Sequence, residues 1–109
     1  MIKRLALLLT IRKQYALGWE GTHGINHWVR VFDNGIKLQT SDIGANIEVI
    51  ELFAFLHDSR RLNEWDDDGH GRRGADFAAS LRGICFDITD GDFDLLYHAI
   101  DKHSDGLLD

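Results

Sequence analysis

His57 and Asp58 stand side by side at the end of the apolar run FAFLHDSRR, residues 53 to 61. A buried carboxylate next to an imidazole has to be ion-paired, hydrogen-bonded or bound to a metal. The chain has six histidines, and their placement matters more than their number. His27, His57 and His70 fall on or beside three different elements, while His98 and His103 lie on or just after a fourth. Separate helices that each turn one or two groups inward can build a metal centre inside a bundle. Mixed imidazole and carboxylate ligation suits Zn, Mn, Fe, Co or Ni better than an all-oxygen set would. The C-terminal ends of helices, where Asp58 and His103 fall, also attract cations.

Other chemistries find less support. A single helical histidine is ordinarily a surface or hydrogen-bonded core residue, and no HExxH or CxxC spacing marks a metal site locally. Cys85 sits in GICFD at a helix end among apolar neighbours, and the chain has neither a Gly-x-Ser-x-Gly elbow nor a Walker loop.

The elements that must position these residues read as helices. Ile2, Leu5, Leu8, Leu9 and Ile11 follow a helical rhythm, which predicts a first helix over residues 2–17, ended by the glycines of ALGWEGTHG. Ile25, Trp28, Val29, Phe32 and Ile36 predict a second from Ile25 to about Thr40, with His27 beside the apolar stripe and Gly35 costing about 1 kcal/mol. NIEVIELFAFLHD is apolar almost all round except at Glu48 and Glu51, as a central buried helix would be, and His57 and Asp58 end it. SRRLNEWDDDGHG then reads as a long polar loop, of the kind that carries function. A fourth helix, about Arg72 to Arg82, turns Ala75, Phe77, Ala78 and Leu81 inward. A fifth, about Gly91 to Lys102, has Thr89 as N-cap and Gly106 as its stop. With no proline, repeat or convincing strand, the expected architecture is all-α, a compact bundle of about five helices.

At 109 residues the chain fits a single domain, 1–109. Eighteen acidic against twelve basic residues, a formal charge of −6, oppose binding along a nucleic-acid backbone. The lone Cys85 cannot form an internal disulfide, which makes the cytoplasm the default compartment. MIKRLALLLTIRKQ has the outline of a signal peptide, but Arg12 and Lys13 cut its apolar stretch short and no A-x-A-like site follows. No segment approaches the length needed to span a bilayer, and self-association is left open.

The pattern resembles the HD-domain superfamily of metal-dependent phosphohydrolases. HGINHWVRV, LFAFLHDSRR, DDDGHGRRGADFA and LLYHAIDKHSDG occur in the family's order, covering most of the chain from about residue 23. The resemblance implies an all-helical fold with one or two divalent metals, Mn, Fe, Co, Ni, Zn or Mg not being distinguishable. It implies His27, His57 and Asp58 as metal ligands. Asp58 and His70 would be catalytic, around a metal-acidified water that attacks phosphorus. His70, His98 and His103 would serve a second metal or the phosphate, with Arg60 and Arg72 as forked donors drawn from the cluster Arg60, Arg61, Arg72 and Arg73. A charged face balancing the aspartates at 66 to 68 explains any one of these arginines equally well. The family's last metal-ligating Asp has no clear match, since only Asp109 lies downstream, so the expected bundle lacks the family's last helices, as a fragment or a short member. The implied substrate is a small phosphate ester or nucleotide. The competing expectation is a non-catalytic ligand-sensing or interaction domain on the same scaffold.

Overall fold

Helix α3 (Ile47–Leu56) organises the structure, because it is apolar on nearly every side. Asn46 caps it, its side chain accepting from the Val49 amide at 3.0 Å. The other helices are α1 (Arg4–Gln14), α2 (Ile25–Thr40), α4 (His70–Leu81) and α5 (Asp90–His103). The computed structural model describes residues 1–40, 46–63, 67 and 69–103, so Gly106 and Asp109 lie outside it. Among the described residues there is no strand, only isolated bridges that tie Ile2 and Arg82 to Phe86, and no helix is long and apolar enough to cross a membrane. The fold is an all-helical globule in which α3 packs against α2, α4 and α5, and α4 runs along α5. Its radius of gyration, 12.8 Å, matches the roughly 13 Å of one compact unit this size.

Leu7 and Ile11 of α1, Trp28 of α2, Leu52 and Leu56 of α3, Ala75 and Ala78 of α4, and Leu96 and Ile100 of α5 fill one core. Val29, counted in the α2 stripe from its spacing, is instead exposed. Two glycines mark where helices come closest. A Cβ on Gly35 would lie 2.5 Å from Ile50 Cγ2, so the glycine that costs α2 helical propensity is what lets α3 approach it. A Cβ on Gly74 would lie 3.0 Å from the Leu56 carbonyl oxygen and 3.2 Å from Ile100 Cγ2, which seats α4 against the end of α3 and against α5.

Helix ends depart from the periodicity where side chains find tertiary partners. α1 begins at Arg4 because Ile2 and Lys3 join the link after α4, the Lys3 amide donating to the Cys85 carbonyl at 2.8 Å. It stops at Gln14 because Tyr15 turns extended. The Tyr15 hydroxyl donates to the His23 carbonyl and its ring meets Trp19 and Trp28. Glu51, one of the two acidic interruptions in α3, is buried, and Arg4 forks onto it at 2.6 and 2.9 Å, tying α1 to α3. α4 starts at His70 rather than Arg72, because the Asp67 carbonyl accepts from both the His70 amide and its Nδ1.

Candidate metal centre

Two adjacent residues of a continuing helix point about 100° apart. At the end of α3 the backbone tightens instead: His57 is the C-cap, and the Ser59 and Arg61 amides donate to the carbonyls of Leu56 and Asp58, three residues behind. This turn lets His57 and Asp58 face one point, with His57 Nε2 3.4 Å from Asp58 Oδ2. Both are buried, and Ser59 behind them is fully buried, its hydroxyl donating to the Leu56 carbonyl.

His27 comes in from α2, its Nε2 3.4 Å from His57 Nε2 and 3.7 Å from Asp58 Oδ2. His70, first residue of α4, and His103, last residue of α5, meet at the other carboxylate oxygen. Their Nε2 atoms are 2.9 Å apart and lie 3.4 and 3.3 Å from Asp58 Oδ1. Asp58 is thus shared by two groups, His27–His57–Asp58 and Asp58–His70–His103. Ligand atoms about 2.0–2.2 Å from one ion stand about 2.8–3.6 Å apart at octahedral or tetrahedral angles, so both groups have close to the right spacing.

The tautomers follow from the backbone. His57 Nδ1 donates to the carbonyls of Phe53 and Ala54 at 3.0 and 2.9 Å, His70 Nδ1 to that of Asp67 at 2.7 Å, and His103 Nδ1 to that of Ile100 at 2.6 Å. In its neutral form, a histidine whose Nδ1–H is held this way presents the Nε2 lone pair, as a ligating imidazole does. Stacking on Phe53, with centroids 5.0 Å apart, fixes the His57 ring plane.

Burial, the largest influence on His57, lowers its pKa to about 4 despite the neighbouring Asp58. At neutral pH its Nε2 therefore carries a lone pair aimed at a carboxylate oxygen and a second imidazole. Such an arrangement calls for a cation, and the donor set fits a borderline divalent metal. Burial also acts to raise Asp58, but the Nε2 atoms of His103 and His70 beside Oδ1 and the other nearby imidazoles outweigh it, leaving the carboxyl well below its usual range and ionised. For His70, burial acts downward, yet the bonds to Asp58 and the Asp67 carbonyl prevail and its pKa is raised.

His27, His57, Asp58, His70 and His103 all converge. His98 does not: it is exposed on α5, edge-on to Tyr97. Arg60 is exposed as well, donating to Gln14 Oε1 at 2.7 Å with its guanidinium over Phe77. Arg72 forks onto Asp101 at 2.9 and 3.0 Å along the outer seam of α4 and α5. The arginine that reaches the cluster is Arg61, buried, with Nη1 3.1 Å from His70 Nε2 and 3.7 Å from Asp58 Oδ1. It lies in the turn after α3, where helical periodicity gives no signal of which way a side chain faces.

Asp67 also escaped the sequence reading. It accepts from the Leu62 and Asn63 amides and from Arg73, and its carbonyl orients His70. Burial raises its pKa, but the bonds from Leu62, Arg73 and Asn63 more than offset that and hold it low. Comparison with protein-family models, curated proteins and solved structures finds no match to this chain.

Proposed function

We propose that the chain is a metal-dependent phosphohydrolase of the HD type, acting on a small phosphate ester or nucleotide. The observation that supports this most directly is the His57 Nε2 lone pair, 3.4 Å from both Asp58 Oδ2 and His27 Nε2 and held there by its Nδ1 bonds to two backbone carbonyls. A divalent ion at His27, His57 and Asp58 would supply Lewis acidity toward a phosphoryl oxygen and acidify water for attack on phosphorus. The chain's own groups do the rest. Phe53 and the backbone carbonyls keep His57 in ligating orientation. Asp58 contributes the negative charge. His70, which holds a proton more readily than an ordinary histidine, can pass it from Nε2 to a leaving oxygen. Arg61, beside His70, offers a buried guanidinium to phosphate oxygens.

The test is a screen of phosphomonoesters and nucleotides, with and without added divalent metal, on wild type and Asp58→Asn. Metal-dependent release of phosphate, abolished in Asp58→Asn, is the expected result. Phosphate binding without turnover by metal-loaded wild type would favour a ligand-sensing domain and overturn the enzymatic reading.

A further inference from the structure

The two ligand groups are alike in donor type but not in charge environment, and Arg61 makes the difference. Both draw on the single carboxylate of Asp58, the one formal anion among the ligands the described residues provide. The Asp58–His70–His103 group has a guanidinium against it: Arg61 Nη1 lies 3.1 Å from His70 Nε2 and 3.7 Å from Asp58 Oδ1, two of the three atoms an ion there would need. The side chain is buried and is held from behind, its Nε donating to the Asn63 carbonyl at 2.8 Å. Arginine cannot shed its charge in a protein. In a buried site, like charges at such separations repel strongly.

We infer that Arg61 stands in place of a second metal ion at the Asp58–His70–His103 group, so that the centre takes one divalent ion, at His27–His57–Asp58. This rests on the metal-centre reading above. The guanidinium gives the second carboxylate oxygen its positive partner, and the second pair of histidines stays available for proton transfer and phosphate contact.

Chelated full-length protein reconstituted with excess Mn²⁺, desalted and assayed by elemental analysis and electron paramagnetic resonance, tests this. Wild type should hold one Mn²⁺ per chain with the spectrum of an isolated ion. Arg61→Met, which keeps side-chain length and removes the charge, should hold two, with the exchange-coupled spectrum of a pair bridged by Asp58. Arg61→Lys should stay at one. His103→Ala in the wild-type background should also keep one ion with an unchanged spectrum, a readout that survives if Arg61→Met fails to fold. Two ions in wild type, one in folded Arg61→Met, or loss of the ion in His103→Ala overturns the inference while leaving a metal centre in place. No ion in wild type overturns the metal-centre reading and this inference together.

Discussion

Asp58 gives one carboxylate oxygen to each pair of histidines, so its charge holds together groups from four different helices or their ends. Asp58→Asn keeps the shape and removes that charge. It should weaken metal affinity by more than the roughly ten- to hundredfold typical of an outer-shell residue. His57→Ala should do the same, and unchanged metal content by elemental analysis in either variant would remove the site. The histidines also predict how the chelated protein responds to acid. His57 has a pKa of about 4 in the fold, against about 6.5 in an unfolded chain. As pH falls below the unfolded value, the unfolded chain binds a proton that the folded one refuses. Stability present at neutral pH is therefore lost through this window, by about 3 kcal/mol at most. His70, raised rather than lowered, contributes in the opposite sense: its stabilisation is complete at low pH and fades as pH rises through its folded value. In chelator, His57→Gln should accordingly lose melting temperature less steeply than wild type on acidification from about pH 6.5 to 4. Parallel curves would mean that His57 titrates normally.

Among the helices, α4 carries His70 to Asp58 only because Gly74 allows it to lie against the end of α3. Gly74→Val would push a side chain into the Leu56 carbonyl and Ile100, and overpacking of this kind costs about 1–3 kcal/mol. The expected outcome is a lower denaturant midpoint, with weakened contact between His70 and Asp58; a midpoint equal to wild type would show that α4 can shift freely. How far the helices could be read from sequence follows the same division between periodicity and tertiary contact. α2 runs from Ile25 to Thr40 as its apolar spacing predicts, and α3 is the buried centre that its composition demands. His27, His57, Asp58, His70 and His103 were legible as residue types placed near helix ends or stripes. Periodicity carries no information about a turn, however, and the turn after α3 is what sends Arg61 inward and Arg60 out toward Gln14 and Phe77. Likewise His70 reads as loop until the Asp67 carbonyl is seen to start the helix there. His98 and Arg72 have the right chemistry and sit on the right helices, but their registers turn them outward, to Tyr97 and Asp101.

Across the whole molecule, the converging side chains run from position 27 to position 103, and an ion at His27, His57 and Asp58 would join α2 to the end of α3, where Asp58 also meets His70 and His103, and so would stabilise the folded form. Metal at a hundred times its dissociation constant adds about 2.7 kcal/mol. For a domain near 100 residues this corresponds to a rise in melting temperature on the order of 10 °C. Chelator should reverse the rise, and Asp58→Asn should show none of it; a wild-type melting temperature indifferent to divalent ions would disconnect the histidine cluster from metal. The aromatic group between α1 and α2 offers a separate view of the same molecule. Tyr15, Trp19 and Trp28 meet edge-on with centroids 5.3 to 6.1 Å apart, and Trp28 immediately follows His27. Rings locked at nearly right angles in an asymmetric setting give a near-ultraviolet circular dichroism signal that disappears when side-chain packing is lost even if the helices persist. The protein therefore contains its own optical gauge of whether α1 is seated, and the unmodified chain can distinguish an expanded helical state from the native one before any ion is added.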